Sequence, residues 1–188
     1  MIVAILQARM GSSRLPGKVM MSILGRPMLE LQIERIRRAV LIDKLVVATT
    51  ANPEDDEIEQ LCTSLNIDCF RGSEEDLLDR YYESAKQFQA DYIVRLTGDD
   101  PLTDPNLLDD MAATMTSGSF DAVTNTMYPT YPEGLDLSVL TFKSLSRAWS
   151  EADLQSQREH VTPYIYDNTE EFRVFHYKQN TDKSSLRW

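Results

Sequence analysis

Long apolar runs are missing from this 188-residue sequence, and none approaches the length that a membrane-spanning helix needs. Residues 1–6 carry no basic segment ahead of their apolar stretch, and they are too short for a secretory signal peptide. We therefore expect neither a signal peptide nor membrane insertion, and we expect the protein in the cytoplasm.

Cysteine is also scarce, since the chain has only Cys62 and Cys69. The two residues lack the spacing of a metal site, and no histidine accompanies them. Cys62 falls on an apolar helical face and Cys69 falls in an apolar strand run. We expect two reduced core residues rather than a metal site or a reactive thiol.

Positive charge is limited too, because the formal net charge of the chain is −11. Nucleic acids and anionic membrane surfaces bind clustered cations, so neither is an expected partner. Hydrophobic residues make up 42% of the chain, which is enough for the core of one domain spanning residues 1–188.

The cations that the chain does have are concentrated in one early stretch. An apolar run over residues 2–6 predicts a buried strand, and residues 7–18 follow it with two glycines and three basic residues. Glycine lets backbone N–H groups curl around an anion, and Arg and Lys side chains suit phosphate oxygens. Open α/β sheets bind ligands at the carboxyl ends of their strands. The stretch therefore predicts a triphosphate-binding loop rather than a solvated basic turn.

Two familiar phosphate motifs are excluded. Five residues separate Gly11 from Gly17, where a P-loop has four, and Val19 replaces the hydroxyl residue that should follow Lys18. The G-x-G-x-x-G fingerprint of dinucleotide-binding proteins does not follow a strand anywhere in the sequence.

Strands and helices are predicted to alternate along the chain. Further strands are expected at residues 44–50, 67–70, 91–96, 120–124 and 135–142, with an edge strand at 171–177. Between them we expect helices that begin near Pro27, Asn52, Ser73, Asp104 and Ser144. This order predicts an α/β fold with a mostly parallel sheet and right-handed crossovers.

Several helix details can be tested against the structure. Leu29, Ile33, Ile36 and Val40 recur at helical spacing, with Pro27 in the first turn. Arg35, Arg37 and Arg38 are expected to be solvated charges on the opposite face. Glu54, Asp55 and Asp56 are expected to complement a helix dipole rather than to bind a metal ion. Asp104 is expected to be an N-cap and not a ligand.

A second candidate site follows the predicted strand at 91–96. There Thr97 and Gly98 precede the adjacent carboxylates of Asp99 and Asp100. Mg²⁺ prefers carboxylate oxygens as its protein ligands, and phosphates and waters fill its other coordination positions. A metal site is therefore favoured over an Asp-Pro turn. Further along, residues 125–134 are rich in tyrosine and proline, which fits a surface turn or the wall of a sugar pocket equally well.

Motifs along nearly the whole chain resemble those of the sugar nucleotidyltransferases. The resemblance is strongest to cytidylyltransferases that make CMP-activated acidic sugars, in the branch named after spore coat polysaccharide biosynthesis protein F. The matching stretches are residues 7–18, 72–74, 78–82, 95–102, 131–136, 158–164 and 186–188.

The resemblance implies a three-layer, mostly parallel Rossmann-like sheet of the nucleotide-diphospho-sugar transferase kind, and a homodimer. It implies transfer of a nucleotidyl group from CTP to an acidic or modified sugar with release of pyrophosphate, using Mg²⁺. Arg14 and Lys18 would hold the β- and γ-phosphates, and Asp99 would hold the metal. The implied nucleotide-binding residues are Ala8, Arg9, Gly11, Ser12, Ser13, Arg14, Lys18, Arg71, Ser73, Thr97 and Gly98; those for the sugar are Tyr131, Glu133, Asp136, Arg158 and His160.

The chain departs from the family at its carboxyl end. In the family, the Leu-Arg-Trp motif of residues 186–188 continues to a further aspartate that supplies a second magnesium ligand, and that aspartate is missing here. The expectation is therefore a single domain without the family's C-terminal segment. Two alternatives stay open, which are an A-type glycosyltransferase and a non-catalytic nucleotide-binding or assembly protein.

Overall fold

The computed structural model describes residues 1–12 and 15–188, which form nine strands and seven helices. The strands are β1 (Ile2–Gln7), β2 (Ser22–Ile23), β3 (Arg26–Pro27), β4 (Lys44–Thr50), β5 (Asp68–Gly72), β6 (Tyr92–Thr97), β7 (Ala122–Thr124), β8 (Ser138–Thr141) and β9 (Val174–His176). The helices are α1 (Met28–Ile36), α2 (Asp56–Ser64), α3 (Leu77–Gln87), α4 (Pro105–Ser117), α5 (Phe142–Glu151), α6 (Gln155–Glu159) and α7 (Pro163–Asp167). None of the helices in these ranges is long and apolar enough to span a membrane.

Seven of the strands form one sheet in the order β5-β4-β1-β6-β8-β7-β9, and β2 pairs with β3 in a separate hairpin. The strands β5, β4, β1 and β6 run parallel to one another, β8 is antiparallel to β6 and β7, and β9 is parallel to β7. The predicted α/β class with a mostly parallel sheet is confirmed, and so is the edge strand near residues 171–177.

Helices cover both faces of this sheet, so the molecule has three layers. Side chains alternate between the two faces along each strand. Val3 and Ile5 of β1 pack in one core with residues of α3, α5 and α7, whereas Ala4 and Leu6 pack in the other with residues of α1, α2 and α4. Cys62 and Cys69 are free and contribute to the second core, as predicted.

Tyr81 joins a helix to the centre of the sheet. Its side chain is fully buried, and its hydroxyl lies 3.1 Å from the carbonyl oxygen of Ile5 and 2.8 Å from that of Leu96. Ile5 lies two residues before the end of β1, and Leu96 lies one residue before the end of β6. The contacts hold α3 against the part of the sheet where both strands stop.

Two predicted helix boundaries are wrong. Pro27 has the extended backbone of a residue before the helix and pairs with Ser22, and α1 ends at Ile36, so Val40 lies outside the helix and is 83% exposed. The cap of α3 is Asp76, whose carboxylate accepts the N–H of Asp79 at 2.8 Å. Asp104 caps α4 as predicted, accepting the N–H of Asn106.

The prediction that the arginines at the end of α1 are solvated is wrong for Arg35, whereas Arg37, just beyond the helix, is exposed as predicted. The guanidinium of Arg35 donates to the carbonyl oxygens of Leu102 and Thr103, and that of Arg37 donates to the carbonyl oxygen of Leu65. An arginine at the rim of a helix reaches the carbonyls of neighbouring loops because its stem is long. Arg35 thereby fixes the loop that follows β6.

Candidate active site

The loops that follow β1 and β6 lie side by side at the carboxyl edge of the sheet. Gln7 pairs with Thr97 in the sheet, and the N–H of Gly98 donates to the carbonyl oxygen of Gln7 at 2.8 Å. A Cβ atom on Gly98 would lie 2.8 Å from that oxygen, so only glycine permits this approach. The loops after the first and the fourth predicted strands are therefore neighbours in the sheet.

The loop after β1 curls around the carbonyl oxygen of Met10. That oxygen accepts the N–H groups of Ser12 and Gly17, both at 2.8 Å. Gly17 has a φ of +70°, which L side chains rarely adopt, and Lys18 begins a short 3-10 turn directly after it. Ser13 and Arg14 lie outside the described residues, so their predicted roles at the phosphates stay predictions.

Asp55 anchors this loop, which corrects the prediction that it complements a helix dipole. Its side chain is fully buried and accepts the N–H of Met10 at 2.7 Å, the N–H of Thr50 at 3.1 Å and the hydroxyl of Thr50. The carboxylate thus connects the loop after β1 to the end of β4. An acidic residue shortly after a helix-starting proline has the same local pattern in either role, so no local pattern distinguishes the anchor.

Lys18 and Asp99 face each other across the two loops. The Lys18 Nζ lies 3.5 Å from Asp99 Oδ2, and the two side chains are 36% and 50% exposed. An exposed ion pair of this kind contributes little to stability, so both groups are available to a ligand. The cation that was predicted to bind phosphate and the carboxylate that was predicted to bind metal therefore share one site.

The adjacent carboxylate of Asp100 faces the protein instead. It is half-buried, and its Oδ2 accepts the hydroxyl of Thr97 at 2.6 Å. Burial, together with the negative charges of Asp99 and Asp136, raises the pKa of Asp100 to about 6, although the hydrogen bond from Thr97 lowers it. Of the two adjacent acids, Asp99 is the one that presents its carboxylate to solvent.

We expect Asp100→Asn to stabilise the protein at neutral pH. Because the folded-state pKa of Asp100 is about 6 against an ordinary value of 3.8, its ionised form is disfavoured in the folded state. The contribution of Asp100 to the unfolding free energy is therefore fully present below about pH 4, and it is lost as the pH rises through about 6. Asparagine does not ionise, so the variant keeps this part of the unfolding free energy, which is about 1–3 kcal/mol at pH 7.5.

Thermal melts at pH 4 and 7.5, without nucleotide or divalent cation, measure this effect. The variant should melt above the wild type at pH 7.5 and close to it at pH 4. An equal difference at both values of pH would show that the titration of Asp100 is not its cause.

Acidic side chains surround the first half of the loop after β1. Arg9 Nη1 lies 3.8 Å from Glu74 Oε1, and the Asn52 side chain donates to the other oxygen of Glu74 at 2.6 Å. A Cβ atom on Gly11 would lie 2.8 Å from Glu54 Oε1. Ala8 is buried at the start of the same loop, where its N–H donates to the carbonyl oxygen of Ala48.

Two arginines that were predicted to bind ligands are engaged within the protein. Arg71 donates to the carboxylates of Asp56 and Glu59. Arg158 donates twice to Asp76 Oδ2, at 2.6 and 2.8 Å, and once to the carbonyl oxygen of Trp149. These contacts hold helices in place, and the predicted ligand roles of both arginines stay predictions.

Ser73 lies in the turn before α3. Its hydroxyl accepts the N–H of Asp76 at 3.0 Å, and its carbonyl oxygen accepts Nη1 of Arg80 at 2.6 Å. The Arg80 side chain is 3% exposed, which makes it a buried cation that sequence reasoning missed. Burial lowers the pKa of Arg80.

The predicted sugar-binding residues are spread over three places. Asp136 precedes β8, two residues beyond the Ser138–Arg95 pair at the carboxyl edge of the sheet. Tyr131 stacks on Tyr177, and Glu133 pairs with Arg187 at 3.4 Å. His160 is exposed between α6 and α7. Only Asp136 is thereby placed beside the Lys18–Asp99 pair.

Asp99 fits a magnesium ion that is completed by a ligand. No group of three or more His, Cys, Asp or Glu side chains is arranged to hold a metal ion within the described parts of the chain. Mg²⁺ is usually bound by one or two carboxylates, with substrate phosphates and waters filling the other positions. An exposed carboxylate beside a loop that is predicted to bind phosphate matches that pattern.

The chain is similar to known proteins along most of its length. The sequence model of the family described as cytidylyltransferase matches residues 3–184. An uncharacterized protein of Methanocaldococcus jannaschii is 44% identical over 175 residues, covering 93% of this chain and 71% of that protein. Spore coat polysaccharide biosynthesis protein SpsF of Bacillus subtilis is 36% identical over 179 residues, covering 92% of this chain and 73% of SpsF.

The fold is also similar to that of a solved structure. A cytidylyltransferase from Leptospira borgpetersenii serovar Hardjo-bovis matches with a TM-score of 0.95 and 36% sequence identity, over 99% of this chain and 79% of that chain. The resemblance that the sequence motifs indicated is confirmed, together with the three-layer fold class that it implied.

Proposed function

Because the chain belongs to the cytidylyltransferase family, we propose that it transfers a cytidylyl group from CTP to a sugar for polysaccharide synthesis, releasing pyrophosphate. The observation that carries this proposal is the contact between Lys18 and Asp99, which come from the two loops at the carboxyl edge of the sheet. A cation and a hard carboxylate at that edge suit a triphosphate and its metal ion.

The chemistry of this site is positioning and charge neutralisation. Lys18 would bind the β- and γ-phosphates and stabilise the negative charge that develops on the departing pyrophosphate. Arg9 and the predicted Arg14 would add cations, and the backbone of the loop after β1 would orient the triphosphate. Asp55 keeps that loop in place through the N–H of Met10.

Asp99 would hold Mg²⁺ at the α-phosphate. When bound, the ion supplies Lewis-acid polarisation of the phosphoryl oxygens. Asp100 does not share this role in the geometry described, because its carboxylate is half-buried and accepts the hydroxyl of Thr97.

The sugar, the oligomeric state and the domain organisation of these residues belong to the same proposal. We assign an acidic or modified sugar, a homodimer and a single domain spanning residues 1–188, following the family resemblance. Arg158, His160, Tyr131 and Glu133 remain candidate contacts for the sugar.

The test is pyrophosphate release from each of CTP, UTP, ATP and GTP with Mg²⁺. Each nucleotide is offered 3-deoxy-D-manno-octulosonate, N-acetylneuraminate or glucose 1-phosphate. We expect release with CTP and an acidic sugar. Absence of release with every pair would contradict the proposal, and consumption of a nucleotide sugar instead would identify a glycosyltransferase.

A further inference from the structure

The segment that carries Asp136 is clamped by a buried asparagine. The side-chain amide of Asn125 donates to the carbonyl oxygen of Leu135 at 2.8 Å, and its Oδ1 accepts the N–H of Leu137 at 3.0 Å. Asn125 is 2% exposed. It therefore fixes the peptide groups on both sides of Asp136. An aspartate in a solvated turn would not need this support.

The loop before Asp136 is also held. Glu133 exchanges backbone hydrogen bonds with the last residues of the chain, donating to Leu186 and accepting from Trp188. Gly134 follows with a φ of +102°, and a Cβ atom there would lie 2.5 Å from the carbonyl oxygen of Trp188. Backbone contacts on one side and the Asn125 amide on the other fix the backbone from which the Asp136 side chain projects.

The sheet register places this carboxylate at the reaction site. Ser138 of β8 pairs with Arg95 of β6, and Asp136 lies two residues beyond that pair, towards the carboxyl end of β6. Asp99 follows the same end. Arg95 Nε and the side-chain oxygen of Gln7 are both buried there without a partner among the described residues. Unpaired buried polar atoms of this kind mark a place where a polar ligand or water binds.

Four charged groups face Asp136. Burial raises the pKa of its carboxyl group, the Arg95 guanidinium lowers it, and the charges of Glu133 and Asp99 raise it. Asp100 faces it from the loop after β6 as well. Asp136 is half-buried, so its carboxylate is partly removed from water while solvent still reaches it.

We propose that Asp136 is a further catalytic residue, whose clamped carboxylate beside Asp99 binds the attacking sugar hydroxyl and takes its proton. The inference rests on the proposed function. It assigns different roles to two acids of one site. Asp99 holds the metal ion, and Asp136 activates the nucleophile. Sequence reasoning placed Asp136 among the sugar contacts and considered it as a substitute for the missing second magnesium ligand, and neither of these roles is that of a general base.

The step balances without a further reactant. The O–H bond of the sugar breaks, its electron pair forms the bond from the sugar oxygen to the α-phosphorus, and the proton moves to Asp136. The bond from the α-phosphorus to its bridging oxygen breaks, and pyrophosphate leaves with that electron pair. Asp136 then gives the proton to solvent water, which its half-exposed carboxyl group can reach.

The test compares Asp136→Asn and Asp136→Glu with the wild type. We expect Asp136→Asn to lower kcat roughly 100-fold, as the loss of a general base does, while the affinity for CTP and its dependence on Mg²⁺ stay unchanged. Asp136→Glu should restore part of kcat, because it returns a carboxylate to the site. The exposed Asp153→Asn is the matched control and should retain wild-type kcat.

Each outcome decides between the roles. A kcat of Asp136→Asn within about threefold of the wild type would overturn the inference and leave the proposed function standing. Loss of the Mg²⁺ dependence of CTP binding would make Asp136 a metal ligand, which also overturns it. If the wild type itself releases no pyrophosphate with any sugar, the proposed function fails and the inference falls with it.

Discussion

Replacing either Lys18 or Asp99 with alanine is expected to lower the rate of pyrophosphate release at least 100-fold, the loss that follows removal of one transition-state stabiliser. The two side chains come from loops that follow different strands, and they meet at 3.5 Å. Each would act on a different part of the triphosphate, because Lys18 neutralises the leaving pyrophosphate and Asp99 holds the metal ion at the α-phosphate.

The two variants should differ in how they bind the nucleotide. Lys18→Ala should weaken CTP binding with and without Mg²⁺, since it removes a phosphate contact that needs no metal. Asp99→Ala should bind CTP without Mg²⁺ about as tightly as the wild type, and Mg²⁺ should no longer strengthen the binding. Steady-state kinetics with CTP and an acidic sugar measure the first effect, and titrations with and without Mg²⁺ measure the second.

Lys143→Ala is the matched control. Lys143 is exposed in the first turn of α5, next to the end of β8 that pairs with the amino end of β6. It is therefore at the opposite edge of the sheet, and its loss should leave the rate unchanged. Wild-type rates for both Lys18→Ala and Asp99→Ala would show that the mechanism is wrong.

Replacing Asp55 with alanine is expected to cost at least ~3 kcal/mol of unfolding free energy and to abolish CTP binding. The carboxylate accepts two backbone N–H groups and one hydroxyl while fully buried. Removing it leaves three donors unpaired, and each buried unpaired donor costs about 1–3 kcal/mol. The N–H of Met10 is one of them, so the phosphate-binding loop loses its anchor at the same time.

Thermal melts and CTP titrations measure the two effects separately. A loss of ~3 kcal/mol should lower Tm by roughly 10 °C in a chain of this size. Asp55→Asn should be less severe, because the amide oxygen still accepts a hydrogen bond. Glu57→Ala removes an exposed acid from α2, the helix that begins directly after Asp55, and should change stability by less than about 0.5 kcal/mol. An Asp55→Ala protein that melts with the wild type would contradict the anchor.

The parallel half of the sheet could be predicted from the sequence because its signals are local. The strand β4 has the predicted bounds, Lys44–Thr50, since a run of apolar and β-branched residues is typical of a strand that is buried on both faces. Parallel strands end at the same edge, so the two candidate loops could be placed on one edge of the sheet from the sequence, but the pairing of β1 with β6 that makes them neighbours could not.

The residues that fix the site could not be predicted in this way, because their partners are distant in sequence. Asp55 contacts Met10, 45 positions away, and Arg35 contacts Thr103, 68 positions away. Aspartate and arginine are usually exposed residue types, so the local sequence does not indicate that either residue contacts a distant backbone group. The Asn125 clamp on Asp136 has no local signal either, since a lone asparagine before a loop is typical of a turn.

The central claim is that the loop after β1 and Asp99 bind CTP and its metal ion together. Calorimetric titration with CTP, ATP, GTP and UTP, each with and without Mg²⁺, tests it most directly. The proposed function predicts tight binding of CTP alone, strengthened by Mg²⁺ through Asp99. Binding of CTP without any effect of Mg²⁺ would contradict the role of Asp99, and no binding of any of the four nucleotides would contradict the triphosphate loop itself.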